Sequence, residues 1–327
     1  MNYRRFGRTG WNVSEIGYGM WGMGGWTGSD DAESLASLER AADLGCNFFD
    51  TAWAYGAGHS EKLLGKLIRT RSGSGPDKKL YLTSKVPPKN RQWPASRDFT
   101  LDDCYPPAHI TEYVEKTLAN LAVDSLDLIQ IHTWNDAWMD DDRWVGALES
   151  LKRQGKIRAA GISLNRWEPA NGLRAVRAGL VDSVQVVYNI FDQNPEDELF
   201  PACRQHDVAV IARVPFDEGS LTGTLTPATT WPQGDWRNTY FTPNNLKECV
   251  ARAAALTPLV PAGSSLPQMA LRFILGAPEV STIIPGMRKL SHVESNCAAT
   301  SAGPLPAALQ SQLRPHRWLR KISDWGR

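Results

Sequence analysis

Five polar residues close five successive apolar runs of this chain. Asp50 stands in CNFFDTA, Lys85 in KLYLTSKV, His132 in SLDLIQIH, Ser163 in RAAGIS and Gln185 in DSVQVVY. Tyr55 follows Asp50 closely in FFDTAWAYGAGHSEKLLG. A carboxylate at the end of an apolar strand is costly unless something pairs it, and Lys85 is the natural partner. A tyrosine hydroxyl, with a free pKa of ~10, keeps its proton at neutral pH and can give it to an oxygen that becomes negative. Acting as a base in the reverse direction requires a pKa two to three units lower, roughly 3–4 kcal/mol. One ammonium ~4 Å away at an effective dielectric of ~20 supplies about 4 kcal/mol. Asp50 then holds Lys85 charged, Lys85 tunes Tyr55, and the His132 imidazole orients a carbonyl oxygen beside the hydroxyl. This set suits proton transfer to a carbonyl under reduction. None of these groups delivers hydride, so a cofactor is required.

Residues on separate strands meet only if those strands are neighbours. Eight short apolar runs alternate with helical stretches: 15–19, 46–52, 79–86, 125–132, 158–163, 182–188, 208–214 and 280–285. The helical stretches are predicted at 30–44, 59–69, 108–122, 142–154, 169–178, 195–206 and 264–276. Near-continuous apolar strands separated by helices imply a parallel sheet covered on both faces. The count of eight favours a closed barrel over an open sheet, and GYGMWGMGG has the wrong spacing for a dinucleotide fingerprint. The predicted fold is therefore α/β, a (β/α)8 TIM barrel in one domain over 1–327. Residues 1–15 form an N-terminal hairpin closing its bottom, and 303–327 a C-terminal tail. PHRWLRKISDWGR at the end fits either a packed helix or a frayed tail. Two connections are long, Val86 to Ala108 and Pro215 to Pro243. Both follow strands, the third and the seventh, and so belong to the face where such barrels keep their active sites.

Composition narrows the partners. A formal net charge of +1 gives no reason to expect nucleic acid or an acidic membrane surface. The N-terminus lacks an apolar signal core, and no apolar run approaches the ~20 residues of a membrane span. Five widely spaced cysteines without a CxxC pair fit a reducing cytoplasm. The six histidines include no HxH or HExxH, so no metal site is expected. There is no GxSxG elbow and no P-loop. The expected partner is a small-molecule carbonyl substrate.

With these residues in place, the sequence resembles the aldo-keto reductase superfamily from the hairpin to about residue 300. The markers are FFDTAWAYGAGHSEKLLG, LTSKV, LDLIQIH, GIS, VQVVYN, GSLTG and IIPGMRK…ESN. The resemblance implies a barrel that binds NADP(H) without a Rossmann domain. It implies that Asp50, Tyr55, Lys85 and His132 are the catalytic tetrad, with Tyr55 as general acid. Ser163 and Gln185 match residues that hold the nicotinamide carboxamide; the usual asparagine is displaced to Asn165 in GISLN. Arg213 falls where an aromatic ring commonly stacks on the nicotinamide, and a cation there raises the nicotinamide's reduction potential. Val214, Pro215, Phe216, Gly219 and Leu221 lie in the segment that folds over the pyrophosphate. Gly286, Arg288, His292 and Asn296 correspond to the adenosine side, where Arg288 beside Lys289 favours NADP over NAD. Glu294 stands one position early for the family's glutamate. Met20 and Trp21 are placed against the cofactor, and Trp53 and Trp134 in the substrate pocket. The implied activity is NADPH-dependent reduction of an aldehyde, ketone or sugar-like carbonyl. Two alternatives keep the same site: an NAD(P)+-dependent alcohol or sugar dehydrogenase, and a nucleotide-binding regulatory subunit with little turnover.

Overall fold

The computed structural model describes residues 1–25, 28–71 and 79–320. It opens with a hairpin of β1 (Tyr3–Phe6) and β2 (Trp11–Ser14). The barrel strands follow as β3 (Tyr18–Gly19), β4 (Phe48–Asp50), β5 (Tyr81–Val86), β6 (Leu126–Ile131), β7 (Ile157–Ser163), β8 (Ser183–Val187), β9 (Ala209–Arg213) and β10 (Val280–Ile283). They form one parallel eight-stranded sheet in chain order from β3 to β10. Parallel bridges Ile16↔Ile283 and Gly19↔Gly286 join its two ends and close the barrel. Closure depends on a close approach at Gly19, where a Cβ would lie 2.5 Å from the Ile284 carbonyl oxygen.

The helices are α1 (Asp31–Asp43), α2 (His59–Arg71), α3 (Leu101–Cys104), α4 (Pro107–Leu121), α5 (Arg143–Arg153), α6 (Leu173–Arg177) and α7 (Leu199–Gln205). They continue with α8 (Arg237–Tyr240), α9 (Pro243–Leu256), α10 (Leu266–Leu275), α11 (Leu290–Ala302) and α12 (Ala307–Leu313). The Asp30 side chain caps α1 by accepting from the Glu33 amide at 2.8 Å, as the acidic N-terminal run predicts. All eight strands match the sequence expectation, but α9 and α11 are additional to it, and the two long connections each carry a short helix, α3 in the first and α8 in the second. The tail is not frayed up to residue 320. It forms α12 and a 3-10 turn at Arg314–His316, after which the Trp318 amide donates to the Phe191 carbonyl at 2.8 Å; residues 321–327 lie outside the described residues.

The hairpin plugs the bottom. Phe6 and Val13 pack against Phe48, Tyr81, Leu128, Ala159, Ala209 and Ile211, each among the first three residues of its strand. The Arg8 amide donates to Asp207 O at 2.7 Å, and Arg4 reaches Glu15 and the carbonyls of Leu275, Ala277 and Val280. With that end sealed by apolar side chains, the polar strand termini gather at the opposite end.

Candidate active site

Register brings the predicted polar residues together. Asp50 lies level with Gly19 and Thr83, Lys85 with Gln130, and Ser163 with Gln185. Inside the barrel mouth, Lys85 Nζ donates to Asp50 Oδ1 at 2.5 Å, to the Thr51 carbonyl at 2.8 Å and to Tyr55 Oη at 3.3 Å. Asp50 Oδ2 accepts from Gln185 Nε2 at 2.8 Å and from Gln130 Nε2 at 3.2 Å. The carboxylate is thus almost fully buried yet has a donor on each oxygen, the arrangement that makes such burial tolerable.

Tyr55 returns to Lys85 through a tight loop. Its amide donates to Ala52 O at 3.0 Å, and Gly56, Ala57 and Gly58 all have positive φ. At Gly56 a Cβ would lie 2.4 Å from the Gly24 carbonyl oxygen, so the loop closes only with glycine there. Glu61, from the same motif, is fully buried and accepts from Ser84, Thr117 and Asn120 at 2.6, 2.8 and 2.7 Å. It pins α2 and α4 to β5, the strand that carries Lys85. His59 pairs with Asp31 at 2.8 Å between α2 and α1 and takes no part in the mouth.

Electrostatics assign the protons. Burial opposes the Lys85 cation, but Asp50 and Tyr55 more than offset it, and the lysine pKa lies above its ordinary value. Burial pushes the Tyr55 pKa up; Lys85 pulls it down and Asp50 up, and the net direction is upward. This corrects the sequence expectation that one lysine lowers it: the carboxylate that holds the lysine partly cancels its field, and desolvation decides the sign. Burial, then Lys85 and Arg213, hold His132 well below the usual imidazole range, so it is neutral. Its Nδ1 is buried without a partner among the described residues. Its ring meets Tyr55 with centroids 5.7 Å apart and Trp93 with centroids 5.8 Å apart, nearly perpendicular to both.

The residues assigned to a nucleotide divide. Ser163 and Gln185 sit side by side at the strand ends. Arg213 extends from β9 and donates to the Leu164 carbonyl at 2.9 Å, while its Nε is buried without a partner among the described residues. Burial and the neighbouring Arg166 push its pKa down to about 10, which leaves it charged at neutral pH. After it, Val214, Asp217, Glu218 and Gly219 all have positive φ, and Phe216 O accepts from the amides of Gly219 and Leu221. Left-handed non-glycine residues cost on the order of 1–3 kcal/mol each and persist only where the surroundings enforce them. Here the enforcement is a buried cluster: Asp217 pairs with Arg320 at 2.6 Å and accepts from Tyr240 at 2.9 Å, and Glu218 pairs with Arg166. Pro215 is buried and Phe216 partly so.

On the other side of the mouth, the Met20 amide donates to the Asp50 carbonyl at 2.9 Å, and Trp21 is half-exposed with its ring 5.3 Å from Trp236. Gly286 is exposed beside Gly19; Arg288 donates to Gly22 O at 3.3 Å. His292 is exposed and Asn296 buried on α11. Glu294 pairs with Arg40 of α1 at 3.1 Å.

Two of the assigned residues are engaged elsewhere. The Asn165 amide is held by protein partners. Its Nδ2 donates to Ala95 O at 3.0 Å and Glu168 Oε2 at 2.9 Å, and its Oδ1 accepts from the Ala95 amide at 3.2 Å. Trp134 is fully buried against Trp138 and Trp144, with Nε1 on Asp136 at 3.0 Å, so it is core rather than pocket wall. Trp53 stays at the mouth, edge-on to Tyr113 and beneath the Arg91 guanidinium at 4.8 Å. Gln130 and Glu61 join the site without having been singled out in the sequence, whereas Trp93 lies in the long connection after the third strand that the sequence assigns to the active-site face. Gln130 carries a signal, an amide inside the strand run LDLIQIH.

A closed parallel barrel that seals one end with a hairpin and presents a lysine-held tyrosine beside a neutral imidazole at the other belongs to the oxidoreductase class. Comparison with known proteins specifies it further: the chain belongs to the aldo/keto reductase family, whose family model matches residues 15–316. It is 31% identical over 301 residues to aldo-keto reductase YhdN of Bacillus subtilis, covering 90% of this chain and 87% of that one. Among solved structures, the holo form of an aldo-keto reductase from Bacillus halodurans superposes with a TM-score of 0.76 at 26% identity over 100% of both chains. An aldo/keto reductase from Klebsiella pneumoniae, solved with NADP and acetate, superposes with a TM-score of 0.70 at 25% identity over 98% of this chain and 97% of that one.

Proposed function

We propose that the protein is an NADP(H)-dependent oxidoreductase that reduces an aldehyde or ketone to the alcohol, with Tyr55 as general acid. The observation that carries this is the hydrogen-bonded chain Asp50–Lys85–Tyr55 beside a neutral His132. The side chains present fit a nicotinamide nucleotide, with Asn165 as the exception. Gln185 gives its amide nitrogen to Asp50, and its carbonyl oxygen has no donor among the described residues, which suits a carboxamide N–H. Ser163 stands next to it, Arg213 carries the orphaned Nε, and Arg288 supplies charge for a 2′-phosphate. The bound nucleotide supplies the hydride.

The chain's own residues handle the oxygen. Tyr55, protonated because its pKa is raised, donates its O–H to the carbonyl oxygen as charge builds there. His132, uncharged, offers a second contact to the same oxygen without a competing proton transfer. Lys85, held charged by Asp50, stabilises the tyrosinate left behind and draws a replacement proton toward it. Because Arg213 remains charged, it disfavours an oxidised, cationic nicotinamide ring next to it and biases bound nucleotide toward the reduced form. Turnover of a carbonyl panel with NADPH tests the proposal together with Tyr55→Phe. Removal of the general acid lowers kcat about 10²–10⁴-fold while NADPH binding is retained; turnover within a few-fold of the parent would assign the acid elsewhere.

A further inference from the structure

The connection from β5 to α4 is an ordered cover. His109 Nε2 bonds Pro87 O at 2.8 Å, the Lys89 amide donates to Cys104 O at 2.8 Å, and Asn135 Nδ2 donates to Ser96 O at 3.0 Å. Trp138 Nε1 donates to Phe99 O at 2.8 Å, and Thr100 and Asp103 form a capping box at α3. In this fastened segment Trp93 is 45% exposed. Its ring lies 5.8 Å from that of His132, which in turn lies 5.7 Å from that of Tyr55. The exposed indole is therefore one ring away from where the carbonyl oxygen is received.

Asn165 explains why it stays there. The two-way hydrogen bond to the backbone of Ala95 clamps the chain two residues beyond Trp93, and the second Nδ2 hydrogen on Glu168 fixes the amide's orientation. The clamp is buried, with Asn165 at 5% exposure, so water competes poorly for these bonds. The polar side chains of this clamp are thereby committed to each other and to the backbone, which leaves the indole as an apolar platform.

We infer that Trp93 stacks on the substrate, that the substrate is a carbonyl compound bearing an aromatic ring, and that Asn165 is the positioning residue holding Trp93 in place. The inference rests on the reductase reading above. A sugar ring requires hydrogen-bond partners for each hydroxyl, whereas the rings that meet His132 are those of Tyr55 and Trp93, and the nearby Lys85 and Arg213 cations already donate to Asp50 and to the Leu164 carbonyl.

The test compares benzaldehyde with propanal, using NADPH consumption by the full chain. Trp93→Ala lowers kcat/KM for benzaldehyde about tenfold relative to propanal, mainly through KM, and Trp93→Phe restores most of it. Asn165→Ala shifts the same ratio in the same direction by about threefold, and NADPH affinity, read by nicotinamide fluorescence, stays within about twofold. Equal losses for both aldehydes in Trp93→Ala would overturn stacking. A larger effect on an aldopyranose than on benzaldehyde would overturn the substrate class. An NADPH Kd raised about tenfold in Asn165→Ala would return that residue to the nucleotide. If no member of the carbonyl panel turns over, the reductase reading fails, and calorimetric binding of benzyl alcohol to the NADP+ complex decides stacking by itself. Binding weakened about tenfold in Trp93→Ala supports stacking, and unchanged binding overturns it.

Discussion

Two buried charge clusters face the barrel mouth and are built on different logic. The Asp50–Lys85 pair has one charge of each sign, both essentially buried, with Gln130, Gln185 and the Thr51 carbonyl completing its hydrogen bonds. The second cluster joins Arg213, Arg166, Glu218, Asp217, Arg320 and Asp192, with Arg320 bridging Asp217 at 2.6 Å and Asp192 at 3.4 Å. In the first, opposite charges cancel within one contact, and the lysine cation is favoured. In the second, like charges crowd: Arg166 lowers the pKa of Arg213, and burial together with Asp217 raises that of Asp192. The first cluster sets the charges beside one hydroxyl, whose proton burial retains. The second holds a backbone, the left-handed segment 217–219, and reaches to the C-terminal tail to do so.

Breaking each cluster has a different signature. Lys85→Met leaves Asp50 buried without its cation, and a loss of about 3–5 kcal/mol in denaturant unfolding is expected. With it goes a fall in kcat of about 10²-fold or more, since the tyrosinate loses its counter-charge. Unaltered stability would show that Gln130 and Gln185 alone satisfy the carboxylate. Arg320→Ala acts only on the second cluster. It frees Asp217, loosens the segment after Arg213, and raises the NADPH Kd about tenfold with kcat at saturating nucleotide nearly unchanged. A matching fall in kcat would mean that the two clusters are coupled. Arg213→Met has the smallest and most selective effect: NADP+ binding tightens relative to NADPH by about three- to tenfold, because the cation opposing a charged nicotinamide is gone. An unchanged ratio would place Arg213 away from the nicotinamide ring.

The first cluster was legible in the sequence and the second was not, for a physical reason. Asp50, Lys85 and Gln185 end apolar strands, so alternation and strand counting bring them to one rim. The sign of the Tyr55 shift was misjudged because the sequence shows the lysine but not the desolvation or the opposing carboxylate. Arg320 pairs with Asp217 across more than a hundred residues, in a tail without periodicity. Asn165 looks like a displaced nucleotide ligand until Ala95 is seen against it, since nothing local in GISLN points to the loop after β5. Trp134 misled by proximity to His132: the chain turns at Thr133, and the indole joins Trp138 and Trp144 in the core. Helix α9 carried a usable signal, Thr242 as cap before Pro243, whereas α11 (LSHVESNCAATSA) lacks the apolar stripe that reveals a helix.

The central claim is that Tyr55 is kept protonated and gives that proton to the substrate, with His132 neutral throughout. The pH dependence of kcat in the two directions measures it most directly. With a raised tyrosine pKa and a depressed histidine pKa, the reductive rate is flat from about pH 6 to 9. The oxidative rate, which needs the tyrosinate, rises about tenfold per pH unit over the same range when the chemical step limits it. A reductive rate that falls through an ionisation near about pH 6.5 would make a protonated histidine the acid and contradict the account.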